Sequence, residues 1–219
     1  METSQHFDRC WFERHPVEVA FDLVGTMIVT DRGGDRIVAR IVETEAYGGM
    51  EDGASHATMY RVGRETLRHE PGVLYMQLSY GLHTMTNIVA HRVGELGAVL
   101  LRAAEDPVEG LSAAQARRFG RANSLLVGPG NLSQGIGTRL SDTLERLAPG
   151  SGVQIVPGAP PAELRAGPRI GISRAVDAPW RFFDAGSRFV SKHRRGEVVS
   201  RENLPELVAA LGPARSEPA

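Results

Sequence analysis

Residues 26–47 read TMIVTDRGGDRIVARIVETEAY, and the fold class turns on this stretch. Two β-branched runs, Thr26–Thr30 and Arg36–Val42, flank Asp31-Arg32-Gly33-Gly34-Asp35. Paired glycines between such runs predict an antiparallel hairpin, because glycine adopts the positive φ that a tight turn needs. If the second strand runs on through Glu43-Thr44-Glu45-Ala46-Tyr47, alternation sets Ile41, Glu43, Glu45 and Tyr47 on one face. Two carboxylates and a phenol following apolar residues at a strand end invite a site. They equally suit an exposed edge with solvated carboxylates, and on pattern alone the edge is the plainer reading.

Outward from the hairpin, Val17, Ala20, Phe21 and Val24 recur at helical spacing behind Pro16, with Gly25 just past the end. Residues 1–14 are expected to form a loosely held arm. Residues 48–71 show no clean period and are expected to be a long loop, of the kind that is usually functional or mobile. Val73–Ser79, Thr84–Ala90 and Ala98–Ala103 are strand candidates, with Tyr80-Gly81-Leu82 between the first two. Asp106-Pro107 is expected to open a helix reaching Phe119, and Ser141–Leu147 a short one. Residues 148–168 are expected to be a Pro/Gly-rich connection and Arg169–Ser191 to bring further short strands. No repeat and no sharp linker divides the chain, so one domain over 15–205 is expected, with an unordered tail at 206–219. The fold class is α+β.

Composition narrows the chemistry. The formal net charge is −1, but residues 1–60 carry eleven acids and five bases, while residues 61–219 carry fifteen and twenty. That asymmetry permits a basic face. Of 25 basic residues 24 are arginine, so a Schiff-base mechanism would have to use Lys192 or the terminal amine. The single cysteine, Cys10, excludes an internal disulfide and a thiolate zinc cluster. No apolar run reaches membrane-spanning length, and the N-terminus lacks a secretory pattern, so a cytoplasmic protein is expected.

Other residues qualify individually as site candidates. His56 stands in the long loop with no second His or Cys at ligand spacing, so no metal is expected. Tyr80 and Leu82 place large apolar groups at a hairpin tip, which is costly unless they fold back or insert into something. Asn87 and Arg102 each lie in apolar runs and need partners if buried; Glu45 is one candidate for Arg102. Gly128-Pro129-Gly130-Asn131 matches no nucleotide-binding fingerprint and reads as a plain helix entry.

Taken together, Ile-Val-Glu43-Thr-Glu45-Ala-Tyr47, Glu-Asp followed by His56, Gly-Val-Leu-Tyr, Tyr80-Gly-Leu82, Asn87 and Val-Leu-Leu-Arg102 closely resemble the alkyladenine DNA glycosylase family, the 3-methyladenine glycosylases of the animal and Gram-positive bacterial type. Gly128-Pro-Gly-Asn-Leu-Ser-Gln134 and Trp180-Arg-Phe-Phe extend the likeness, which covers roughly residues 15–191. The resemblance implies a single α+β domain with a curved antiparallel sheet and surrounding helices. It implies a monomer without cofactor, acting on double-stranded DNA that contains damaged purines. Glu45 would activate a water and Arg102 would hold it. Tyr47, His56 and Asn87 would line the pocket for an extruded base. Tyr80, with Leu82 beside it, would fill the gap left in the duplex. The family commonly has a second pocket tyrosine where this chain has Gln77, so the resemblance implies a one-sided π pocket. A nucleoside or RNA N-glycosidase and a noncatalytic lesion-binding protein are the alternatives.

Overall fold

The computed structural model describes residues 7–211. Short α1 (Arg9–Phe12) precedes α2 (Pro16–Leu23), which starts where the spacing puts it. His15 caps α2 through Nδ1, which accepts from Val17 N at 3.3 Å, while Glu18 accepts from His15 N at 3.1 Å. Pro16 costs nothing at the first helical position, where an N–H would have no partner. The expected hairpin follows: β1 (Met27–Arg32) pairs antiparallel with β2 (Asp35–Tyr47) across Gly33 and Gly34, at φ +66° and +86°. Two positive φ values in a two-residue loop match the twist of the flanking strands.

The segment expected as a bare loop contains α3 (His56–Met59) and α4 (Arg61–Thr66), helices too short to leave a visible period. Next come β3 (Leu74–Ser79), β4 (His83–Val89) and β5 (Ala98–Ala104), close to their expected bounds. Beyond them lie α5 (Leu111–Arg117), α6 (Pro129–Ile136), β6 (Val153–Val156), β7 (Leu164–Gly167), β8 (Arg181–Asp184), β9 (Glu197–Val198) and α7 (Leu204–Val208).

Every pairing among the described strands is antiparallel, and the order is β3-β4-β5-β2-β8-β7-β9, with β1 paired to the first half of β2 and β6 paired to β1. β2 is therefore the spine: its first half belongs to β1 and its second half lies between β5 and β8. Helices surround this single α+β sheet. The Thr44 hydroxyl donates to Ala20 O at 2.8 Å, tying β2 to α2. Thr86 meets Ser133 at 2.7 Å, tying β4 to α6. One apolar core joins α2, α6 and one face of the sheet, with Leu23, Ile37, Ile41, Ile88, Leu101 and Leu132 fully buried.

Several expectations differ from the structure. In the expected N-terminal arm, Phe12 is fully buried and Phe7 stacks on Trp11 at 4.2 Å, so this part of the arm is docked by its aromatic rings. The helix after Asp106 begins only at Leu111. The Asp106 carboxylate instead accepts from Ser124 N and Leu125 N, at 3.0 and 2.8 Å. The supposed helix at 141–147 is one 3₁₀ turn, Leu140–Asp142. The connection at 148–168 holds β6 and β7, four-residue strands whose alternation is too brief to read. The boundary at 205 falls inside α7, which buries Leu204 and Leu207; the remaining tail, 212–219, lies outside the described residues.

Candidate active site

A bulge in β2 builds the site. Ile37, Ala39 and Ile41 point into the core beneath α2, and so do Thr44 and Ala46. Strict alternation cannot hold both sets on one face. The register with β5 slips on either side of Glu43, inserting the extra residue that reverses the phase. Ile41 is therefore not on the face of Glu45, as unbroken alternation had it. Glu43, Glu45 and Tyr47 instead turn away from the core.

Both carboxylates are fully buried, not solvated at an edge. Glu45 Oε2 accepts from the Tyr47 hydroxyl at 2.8 Å and from Arg102 Nη1 at 3.1 Å, and Oε1 accepts from Ile170 N at 2.7 Å. Glu43 accepts from Arg181 Nη1 at 3.0 Å and Ser191 N at 2.8 Å, with Arg102 Nε 3.5 Å away. Burial pushes the Glu45 carboxyl above its ordinary value, although Arg102, the Ile170 N–H and the Tyr47 hydroxyl oppose the shift. Burial, reinforced by the adjacent Glu45 charge, drives Tyr47 well above 10, so it stays a phenol and a donor.

Beside this carboxylate opens a cavity of about 580 Å³, lined by Tyr47, Arg102 and Ile170, the three donors to Glu45. His56, Tyr60, Tyr75, Gln77, Asn87 and Tyr80 complete its working surface. His56 Nδ1 lies 2.7 Å from the Tyr75 hydroxyl, and burial lowers the ring's pKa, so the neutral imidazole is favoured. Asn87 pairs with Tyr75 across β3 and β4 and donates to Tyr75 O at 3.0 Å. At the rim, Tyr80 and Gly81 turn the chain with φ +50° and +69°, and Leu82 N donates to Ser79 O at 3.0 Å. The tip does not fold back: Tyr80 is 91% exposed and Leu82 77%. Of the eight sequence candidates, Tyr47, His56, Gln77, Tyr80, Asn87 and Arg102 line this cavity; Glu45 lies behind Tyr47 and Arg102, and Leu82 stays at the exposed hairpin tip.

A family model described as methylpurine-DNA glycosylase matches residues 10–188. The chain belongs to that family. It is 40% identical over 191 residues to a protein of Nitrosococcus oceani provisionally named 3-methyladenine DNA glycosylase, covering 83% of this chain and 90% of that one. Similarly named proteins of Chlorobaculum tepidum (39% over 190 residues; 85% and 90% covered) and Mycobacterium tuberculosis (36% over 196 residues; 82% and 90% covered) are also similar.

The methylpurine-DNA glycosylase family likeness leaves three features of the site unread. Tyr75 shares a strand face with Gln77 and could have been found by counting two residues back. The N–H of Ile170 carries no side-chain signal at all. Arg169 and Asp52 form a fully buried bidentate pair at 2.5 and 2.9 Å, and the guanidinium lies 4.8 Å from the Tyr47 ring centroid. This pair braces the ring from outside the cavity.

Proposed function

We propose that the chain is a monofunctional DNA glycosylase that flips alkylated purines from duplex DNA and hydrolyses their N-glycosidic bond. One observation carries the reading: a buried, triply hydrogen-bonded carboxylate stands behind an aromatic-lined cavity whose rim holds an exposed tyrosine. A stacked base is out of reach, so it must leave the helix, at a cost of a few kcal/mol. Stacking on Tyr47 offsets about 1–3 kcal/mol of that cost, and Tyr80 fills the hole left behind. The exposed tip favours duplex over free nucleoside, since a nucleoside leaves no gap to fill.

In the hydrolysis the water oxygen bonds to the anomeric carbon and the glycosidic electron pair leaves with the base. The water proton passes to Glu45. Three donors occupy three of roughly four acceptor positions on a carboxylate, leaving one for the water. That water enters between Tyr47 and Arg102, because Glu45 itself lies behind the wall they form. A purine made cationic by alkylation at N3 or N7 departs as a neutral base, so no acid is required for it. Asn87, beside the cavity floor, opposes the exocyclic amine of guanine. The protein works as a single subunit on damaged duplex DNA.

The deciding experiment is base release from duplexes carrying 3-methyladenine, 7-methylguanine, hypoxanthine or ethenoadenine, read by product chromatography. Free base and an abasic strand are expected. Tight lesion binding with no base released from any of the four would overturn the enzyme reading.

A further inference from the structure

A second exposed aromatic repeats the geometry of the first. Phe119, 87% exposed, sits at φ +55° and is followed by Gly120 at +75°, just as Tyr80 at +50° is followed by Gly81 at +69°. A bulky residue in the left-handed region is disfavoured, and an exposed phenylalanine leaves its ring in water. Chain folding alone gives no reason to hold both at one tip. The base of this turn is nonetheless held firmly. Gly120 N donates to Gln115 O at 2.8 Å, and Arg118 reaches α6 through Asn131 Oδ1 at 2.5 Å and through Gln134. Arg117 donates to Arg32 O at 2.9 Å.

The first turn of α6 connects the two tips. Pro129 lines the cavity, and a Cβ at Gly130 would lie 3.0 Å from His83 Cβ, at the root of the Tyr80 hairpin. The charge pattern shows what approaches. Residues 110–141 contain four arginines and no Asp or Glu, although Arg117 pairs with Asp35 at 3.2 Å and Arg118 is buried against α6, and residues 71–94 contain no Asp or Glu either. A polyanion meets no carboxylate on either segment.

We propose that Phe119 is a second wedge, which enters the damaged duplex beside the nucleotide step opened by Tyr80. The proposal rests on the glycosylase reading for its partner, duplex DNA. Phe119 stacks on a base flanking the lesion and Arg121 neutralises a phosphate next to it. Two wedges hold the helix open while the purine occupies the cavity.

The test uses the full chain and a duplex carrying a tetrahydrofuran abasic analogue, with 2-aminopurine placed in turn at the flanking and opposite positions. Phe119→Ala should weaken binding about tenfold, within the range for losing one base–aromatic stack. It should abolish the fluorescence rise at one 2-aminopurine position and keep the thermal midpoint. Phe119→Tyr should restore both signals. Arg121→Ala should instead reduce the salt slope of binding by about one phosphate contact. Unchanged affinity and fluorescence in Phe119→Ala would overturn the wedge. So would loss of a concentration-dependent self-association with DNA binding intact, which would make Phe119 a protein–protein contact. These readouts need no turnover: a wild type that releases no base sinks the glycosylase reading, while an active enzyme indifferent to Phe119→Ala sinks only this one.

Discussion

At Glu45, burial couples stability to pH. Burial holds its folded-state pKa above the ordinary value, so the folded protein binds that proton more tightly than the unfolded chain. The stabilising contribution is therefore complete below the unfolded pKa and is lost as pH rises through the raised folded value. The proposed base must be ionised, so base release should change in the opposite sense, falling with decreasing pH through that same raised value. Glu45→Gln should keep a cooperative thermal transition and should still bind lesion duplex. Its single-turnover base release should drop by roughly 10²–10⁴-fold, the usual share of a positioned base; a rate equal to wild type would clear Glu45 of the role. Gln77 bears on substrate range. It lines the cavity with Tyr47, His56, Tyr60 and Tyr75 but offers no π face itself. Cationic 3-methyladenine and 7-methylguanine leave readily and are drawn to aromatic faces, so they should be released faster than hypoxanthine or ethenoadenine. Gln77→Tyr should speed the neutral pair more than the cationic pair, by the equivalent of about 1–2 kcal/mol of stacking. Equal wild-type rates on hypoxanthine and 3-methyladenine would show that something other than an aromatic closes the pocket.

Among the elements, α2 and the Tyr80 hairpin each make a measurable demand. The α2 cap needs a neutral His15, because protonated Nδ1 cannot accept from Val17 N. Burial first, then the Arg92 charge, depress His15 from 6.5 to about 4, with Glu18 partly opposing. The unfolded chain thus takes up this proton first, so the stability due to neutral His15 is present above pH 6.5 and is lost as pH falls towards 4. His15→Asn, which caps without titrating, should flatten that part of a pH–stability profile measured by urea denaturation. In the hairpin, tyrosine at φ +50° strains the turn. Tyr80→Asn should therefore stabilise the fold by up to about 1 kcal/mol, since asparagine tolerates this region. The same change should weaken binding to a paired lesion more than to a mismatched one, which costs less to extrude. Equal loss on both substrates would mean that the hairpin, not the gap, had been disturbed. Both elements were legible beforehand: Pro16 and the apolar spacing mark α2, and Tyr-Gly-Leu between β-branched runs marks the turn. The four-residue strands β6 and β7 were not, because so short a run shows too little alternation to be told from loop.

At the scale of the whole molecule, the Asp52–Arg169 pair ties the segment after β2 to the segment before β8. Asp52 also accepts from Gly48 N and Ala54 N, each at 3.0 Å. Removing one charge of a fully buried pair strands the other, so Asp52→Asn should cost about 3–5 kcal/mol in urea denaturation. It should also slow base release, because Arg169 no longer braces Tyr47; unchanged stability would mean that water or another acceptor takes Arg169. The Gly-Gly hairpin and most central strands were readable along the chain, because turn chemistry and period-two patterning act between near neighbours, whereas pattern alone left Glu45 and Tyr47 at an exposed edge. Residue order also carried the family likeness. The rest belongs to contacts that local pattern does not contain. The bulge that puts Ile41 and Glu45 on opposite faces follows from pairing with β5. Arg102 and the Ile170 N–H reach Glu45 from 57 and 125 residues away. Burial, which raises the Glu45 pKa and sets this carboxylate apart from a solvated one, arises only when those distant segments close around it.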